Sequence, residues 1–445
     1  MNLPIDYKDC QSFKSLNIEQ KISFCAAMSG EDILVTGGGG VGKSHFIKTL
    51  KKHKPDMVIS ASTGVAAVNI DGVTVSSFFG FFRIEPVLFE LNQITRDSED
   101  RIKETSCLLI DEFSMTRIDQ FHLIDKVFKY VKKNNLPFGG VQIIIVADFC
   151  QLKPVMSMSF EARNKFNKLF GLKEYGFESP LFQEKNITPY LLSEYIRNEH
   201  PEQSHSLKCL RLGINIDKAV DYINSIVSKE IHKDAIHLCT TNKSADSINK
   251  EKYEAIQNPE KTFYAQIIND GLDDCPVARV VKMKVGTRVM FVANNSDEDY
   301  YNGDLGTITG FSVDGARVVL DRGPVKIVKQ HEWNDKKHQY SKNYNGIKQI
   351  PLTLAFAITI HKSQGMTLPR ATLDLRSGCF TEFQAYVGLS RVGDLRNITL
   401  LRPLLVSDIT INKKAVDFTF FASKLALARR ENDINKFGLK KFIEA

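Results

Sequence analysis

Residues 37–44 read GGGGVGKS and follow directly on the apolar run Ile33–Thr36. No other feature of this sequence constrains the fold as tightly. The pattern G-x-x-x-x-G-K-[ST] needs a strand to deliver the loop and a helix to receive it. The backbone N–H groups of Gly37, Gly38, Gly39, Gly40, Val41 and Gly42 are then expected to face phosphate oxygens, helped by the dipole of a helix starting near Lys43. Lys43 is expected to reach the β- and γ-phosphates of ATP, and the Ser44 hydroxyl to bind Mg²⁺. A glycine-rich turn with no ligand is the competing reading. It leaves a lysine and a serine in register after a strand unexplained.

A parallel α/β sheet makes further demands on the sequence. Its buried strands read as unbroken apolar runs, and its ligands sit at their carboxyl ends. Met57–Ser60, Cys107–Ile110 and Gln142–Val146 are such runs, all in the first half of the chain. Counting Ile33–Thr36 as the first of four runs, the third, Cys107–Ile110, is followed by Asp111 and Glu112. An acidic pair at a strand end is either a solvated cap or the second half of a nucleotide site. Beside a phosphate loop, Asp111 is expected to hold Mg²⁺ and Glu112 to orient and deprotonate the attacking water. Gln151 follows the fourth run and is either a turn residue or an amide contacting the γ-phosphate and that water.

The second half begins again near residue 190, with His237–Thr240, Ala371–Leu375 and Asn397–Leu401 as strands of a second sheet. Between them the character changes. Val285–Ala293, Gly306–Phe311 and Ala316–Leu320 are short runs separated by Gly, Asn and Asp, the pattern of hairpins. The expected organisation is therefore an α/β chain. A first core spans residues 1–190, with a small insertion near 76–104. A second core spans 191–425, with a β-rich insertion near 280–345, and a helical tail covers 426–445.

Bulk properties exclude several classes. The eight cysteines form no C-x-x-C pair, which argues against a structural zinc site and for a reducing, intracellular setting. No apolar run approaches the ~18–20 residues of a membrane span. The first ten residues, with Asp6 and Asp9, resemble neither a secretory nor a mitochondrial leader. Lys+Arg exceed Asp+Glu by 59 to 52, a net charge of +7 that suits a polyanion without requiring one.

The motifs also stand in a particular order. After the phosphate loop come ASTGVAA at 61–67, LLIDEFSM at 108–115, PFGGVQ at 137–142 and DFCQLKPV at 148–155. AITIHKSQGMTL at 357–368 and QAYVGLSR at 384–391 complete the set. This set resembles the petite-integration-frequency (PIF) helicase family of superfamily 1, from about residue 16 to 402. The resemblance implies two RecA-like cores with ATP between them, and NGDLGTITG at 302–310 resembles the start of the family's small β-barrel insertion. It implies that Gln20 contacts the adenine, although Asn17 and Gln20 read locally as a helix cap. It implies that Gln151 senses the γ-phosphate, that Gly365 lies near the phosphates, and that Arg197 and Arg391 are arginine fingers. Read without the family, either arginine is a surface ion pair.

Ser62, Thr63, Ser77, Phe78, Thr240, Asn242, His361 and Lys362 match family segments that line the nucleic-acid strand. Hydroxyls, amides and backbone N–H groups suit sequence-independent phosphate and sugar contacts, and aromatics suit base stacking. Phe78 and its neighbours Phe79, Phe81 and Phe82 read equally as core. The chain departs from the family at Ser76, where a histidine is usual, and at Ala147, Lys153, Asn198 and Gly388. The implied activity is an ATP- and Mg²⁺-dependent 5′-to-3′ helicase acting on single-stranded DNA and duplex junctions, with a monomer as the expected unit. An RNA translocase, or an ATP-switched clamp that never unwinds, would share the nucleotide chemistry. The sequence names no protein partner, pathway or preferred DNA structure.

Overall fold

A computed structural model describes residues 10–81, 85–195, 200–232, 234–272, 275–295, 297–313, 315–334 and 344–442. The first core is built on six strands: β1 (Ile33–Thr36), β2 (Val58–Ala61), β3 (Val73–Thr74), β4 (Cys107–Asp111), β5 (Gln142–Ala147) and β6 (Thr188–Leu191). They form one parallel sheet in the order β3-β2-β4-β5-β1-β6. Alternation along each strand divides the apolar runs between two cores. Ile33, Val35, Leu109, Ile144 and Val146 pack on one face, and Leu34, Leu108, Ile110, Ile143 and Ile145 on the other. Helices cover both faces, so neither face needs polar residues.

The expected strands lie within a residue or so of the observed ones. Two strands of this sheet are not among the expected ones: the two-residue β3, and β6, whose sequence TPYL gives no strand signal. Pro189 cannot donate to a ladder, which restricts such a segment to a sheet edge, and β6 is indeed the edge beside β1.

The second core carries a four-stranded parallel sheet. Its strands run in the order Ala357–Thr359, β7 (Ile236–Cys239), Ala371–Asp374 and Ile398–Leu400. Ile236, Leu238, Ile358, Ile360, Leu373 and Ile398 form its centre. Antiparallel strands from Glu260–Tyr264 to Leu352–Leu354 interrupt this core. The β-rich insertion is thus wider than 280–345. It comprises two-, three- and five-stranded sheets around Phe263, Val289, Phe291, Ile308, Val318 and Val328. The expected strand Val285–Ala293 is broken by a turn at Gly286, whose φ of 93° lies in the left-handed region that a side chain disfavours. Residues 335–343 of the expected insertion lie outside the described residues. The first-core insertion is helical, with helices Val75–Phe79 and Arg96–Glu104 capped by Thr74 and Thr95.

The C-terminal boundary differs from expectation. A single helix runs from Lys413 to Lys436, capped by the Asn412 side chain, so no separate tail begins at 426. It leaves the second core and packs back on the first. Ala415, Val416 and Ala422 join one face of the first sheet, while Ile434 joins the other together with Phe437 and Leu439 just beyond the helix. The spacing of Ala415, Thr419 and Ala422 places small side chains on one buried stripe, and the Thr419 hydroxyl stands 3.5 Å from Cys150 Sγ just beyond β5.

Candidate functional site

The phosphate loop leaves β1 between β5 and β6 and enters the helix Lys43–His53. Gly40 and Gly42 both have φ of 83°, so the loop curls through two left-handed residues. Gly37 is excluded from carrying a side chain for another reason: a Cβ there would overlap the Leu192 carbonyl and stand 2.8 Å from Val41 Cγ2. The Lys43 ammonium lies inside the curl, donating to the carbonyls of Gly37 at 2.9 Å and Gly38 at 2.7 Å. Burial pulls its pKa down, and the carboxylates of Asp148, Glu112 and Asp111 act against that pull. Ser44 is exposed at the helix start.

Gln20 fulfils the local reading and reaches the loop as well. Its side chain completes the capping box with Asn17, and its Nε2 donates to the Gly42 carbonyl at 3.1 Å. The amide therefore braces the loop from the preceding helix. Beside it, Glu19 accepts from the Ser193 backbone N–H at 2.6 Å, fixing the start of the link to the second core.

At the end of β4, Asp111 accepts from the Glu112 N–H at 2.8 Å through Oδ1. Burial raises the Asp111 pKa, and the neighbouring Glu112 adds to the rise. Glu112 itself has φ of 50°, which turns its side chain off the strand line. Its Oε2 accepts from Gln364 Nε2 at 3.3 Å, and Gln364 belongs to the second core. Gln151 is buried, with Nε2 on Asp148 Oδ2 at 3.2 Å. Its Oε1 has no partner among the described residues, an unspent acceptor beside the loop.

Arg391 does not lie at the surface. It is buried, with Nε on the Val387 carbonyl at 2.8 Å and Nη1 near the carbonyls of Ser363 and Met366. The guanidinium thus ties QAYVGLSR to IHKSQG. Gly365, the last residue of IHKSQG, has φ of 81° and lies against Ala66 of the first core, and its carbonyl accepts from Asn69 at 2.6 Å. Arg197 and Asn198 lie outside the described residues. Gly388, one of the departures, has a local reason: a Cβ there would come within 2.8 Å of Leu373 Cδ1.

The strand-facing expectations divide. Thr63 caps the helix Gly64–Asn69 by accepting from the Ala66 N–H, and the Ser62 hydroxyl pairs with that of Thr116 at 2.9 Å. Ser77 is half-buried on the turn capped by Thr74, and lines a cleft shared with Asn294, Tyr301 and Arg322 of the insertion. Thr240 is buried, and its Oγ1 has no partner among the described residues. Asn242 is exposed at the start of the helix Asn242–Glu254. Lys362 is exposed; His361 is half-buried, and burial lowers its pKa.

Phe78 must be corrected. It is 6% exposed, packs edge-on to Phe79 at 4.9 Å, and lies beneath the Arg101 guanidinium at 5.7 Å. Phe79 and Phe81 stack in the same cluster. These rings fill the first core, where an aromatic run gains more from burial than from solvent-facing stacking. Phe82 lies outside the described residues.

Sequence reasoning missed four residues of the site: Asp148, Arg211, Gln364 and Tyr386. Three of them lie inside motifs already singled out, but the reading weighted other positions there. Arg211 carried one weak signal, a cation between Leu210 and Leu212 on a helix that must bury that side. It ion-pairs with Asp148 at 2.7 Å, and Tyr386 donates to the same carboxylate at 3.1 Å.

Among the described residues no group of three or more His, Cys, Asp or Glu could hold a metal by itself. The donor set fits a cation that takes few protein oxygens. Ser44 and Asp111 stand beside the loop, and Mg²⁺ commonly completes its shell with phosphate and water oxygens. No helix among the described residues is long and apolar enough to cross a membrane.

The profile described as PIF1-like helicase matches residues 15–170. The ATP-dependent DNA helicase Pif1 of Psychrobacter sp. is 28% identical over 84% of this chain and 66% of its own length. The human ATP-dependent DNA helicase PIF1 is 30% identical over 90% of this chain and 63% of its own length. The chain therefore spans just under two thirds of these relatives. Among solved structures, the Pif1 helicase from Bacteroides in complex with ADP-AlF3 and single-stranded DNA superposes with a TM-score of 0.79. It is 29% identical, over 91% of this chain and 96% of that one.

Proposed function

We propose, from the premise that this chain belongs to the PIF1-like helicase family, that it hydrolyses ATP between its two cores to move 5′ to 3′ along single-stranded DNA and open duplex. One observation carries the reading: Glu112 of the first core and Gln364 of the second meet directly beside the phosphate loop. A site assembled from both cores can change their separation when its contents change.

In this reading Lys43 and the loop N–H groups of residues 37–44 bind the phosphates, and Gln20 braces the loop and meets the base. Ser44 and Asp111 hold Mg²⁺, which supplies charge neutralisation for the phosphates when bound. Glu112 accepts the proton of the attacking water, while the free Oε1 of Gln151 orients that water. Arg391 and Arg197 stabilise charge on the transferring phosphoryl group, and Gly365 lets the second core approach. Ser62, Thr63, Ser77, Thr240, Asn242, His361 and Lys362 contact the strand backbone. The clefts between the helix Gly64–Asn69 and residues 301–305 of the insertion support a path that both cores can grip.

Strand release from two tailed duplexes tests the reading. With ATP and Mg²⁺ under single-turnover conditions, a 5′-tailed DNA duplex is opened and a 3′-tailed one is left intact. Preferential opening of the 3′-tailed duplex reverses the direction. Opening of a matched RNA duplex in preference to DNA moves the assignment to an RNA translocase. ATP hydrolysis without release from any substrate moves it to a nucleotide-switched clamp.

A further inference from the structure

The second core touches the phosphate loop at a point none of the roles above uses. Tyr386 is buried on the short helix Gln384–Leu389. Its hydroxyl accepts from the Gly39 N–H at 3.0 Å and donates to Asp148 Oδ2 at 3.1 Å. Asp148, fully buried at the end of β5, also accepts from Arg211 Nε at 2.7 Å through Oδ1. Arg211 Nη2 lies 2.7 Å from that oxygen but makes no aligned hydrogen bond among the described residues. The second core lies in van der Waals contact with the loop here. A Cβ on Gly38 would stand 3.3 Å from the Tyr195 hydroxyl and 3.7 Å from Arg211 Cδ, and one on Gly39 3.5 Å from Ser390 Cβ.

The charge states suit such a contact. Burial would raise the Asp148 pKa, but Arg211 and Lys43 outweigh it and keep the carboxylate ionised. Burial and that carboxylate keep the Tyr386 hydroxyl protonated, so it can donate. One backbone N–H of a phosphate loop is therefore satisfied by a second-core hydroxyl in place of a phosphate oxygen.

We propose that Tyr386, held by Asp148 and Arg211, couples occupancy of the phosphate loop to the second core. The terminal phosphate of a nucleotide takes the Gly39 N–H, and Tyr386 gives it up. Tyr386 is a positioning residue in this scheme. Its displacement is passed on because Arg391 is fixed to the same helix: Nε donates to the Val387 carbonyl, and Nη2 to the Ser390 hydroxyl at 2.8 Å. The segment 363–366, bonded to Arg391 on one side and to Glu112 and Asn69 on the other, carries the shift toward the strand-facing surface.

The inference rests on the reading that ATP binds this loop, and the test separates the two. Tyr386→Phe keeps the ring and removes both hydrogen bonds. The measurement is the affinity for a labelled single-stranded oligonucleotide by fluorescence anisotropy, with and without ADP–aluminium fluoride. In the wild-type chain the nucleotide shifts that affinity on the order of 10-fold, a usual size for coupling between sites. In Tyr386→Phe the shift falls below about 2-fold. ADP–aluminium fluoride binds this variant as tightly as wild type or tighter, because the Gly39 N–H is no longer contested. Arg211→Lys, which keeps a cation beside Asp148 but shortens its reach, shows an intermediate shift. Thermal unfolding of both variants checks that the fold is intact. A wild-type shift retained in Tyr386→Phe overturns the coupling role while leaving the ATP site standing. A wild-type chain that neither binds ADP–aluminium fluoride nor hydrolyses ATP overturns the underlying reading and the coupling with it.

Discussion

The phosphate loop and the strand-facing segments contain similar residue types but use them differently. Around the loop, polar side chains from five separate elements converge: Gln20, Lys43, Glu112, Asp148 and Tyr386 are linked through hydrogen bonds or charge to one turn of backbone. In the strand-facing segments much of the hydroxyl chemistry is spent locally. Thr63, Thr74 and Thr241 each accept from a backbone N–H at the start of a helix. A site that must organise a triphosphate needs fixed side chains. A surface that follows a sugar–phosphate backbone can offer helix starts and main chain, and its threonines then serve the fold.

That contrast predicts opposite phenotypes. Lys43→Ala gives the largest effect: ATP hydrolysis drops to background, because the ammonium held inside the loop curl is lost. Binding of single-stranded DNA without nucleotide stays within about 2-fold of wild type, since the Lys43 ammonium is turned onto the loop carbonyls of Gly37 and Gly38. A Lys43→Ala chain that hydrolyses ATP normally breaks the convergence argument.

Phe78→Ala comes next and acts on the fold. Emptying this position should cost about 3–5 kcal/mol of stability, the usual range for a buried phenylalanine. Chemical denaturation measures that loss, and DNA affinity of the remaining folded protein should be unchanged. A stable variant with weakened single-strand binding would return Phe78 to the strand.

Thr63→Ala is the mildest. Loss of the cap should cost about 1 kcal/mol, visible as a small drop in melting temperature. The ATPase maximum should be kept, with at most a modest rise in the DNA concentration needed to reach it. A collapse of DNA-stimulated hydrolysis without any loss of stability would show that the Thr63 hydroxyl belongs to the strand and not to the helix.

Several features were legible before any coordinates. GGGGVGKS after ILVT calls for a strand, a curled loop and a helix, and the runs ending at Ile110 and Val146 read as buried parallel strands. These signals are local: backbone conformation and side-chain period are set within a few residues. The same locality made Gln20 visible as a cap, which the structure realises through Asn17.

The remaining features depend on chain segments far apart in sequence. Pro189 conceals β6, because an edge strand needs only one partner and shows no buried period. The C-terminal helix reads as a tail, since nothing in its composition says that Ala415 and Ile434 will close on the first core. Phe78 had two consistent uses, and only the packing around Phe79 and Arg101 chose between them. Arg211 is the clearest case. By sequence it is one cation on a helix; in the fold it is buried against Asp148, 63 residues away, at the phosphate loop. The sequence by itself determined the local geometry that prepares a phosphate site. The tertiary structure decided which distant side chains complete it, because the energy of a buried charge or ring depends on the partners that surround it.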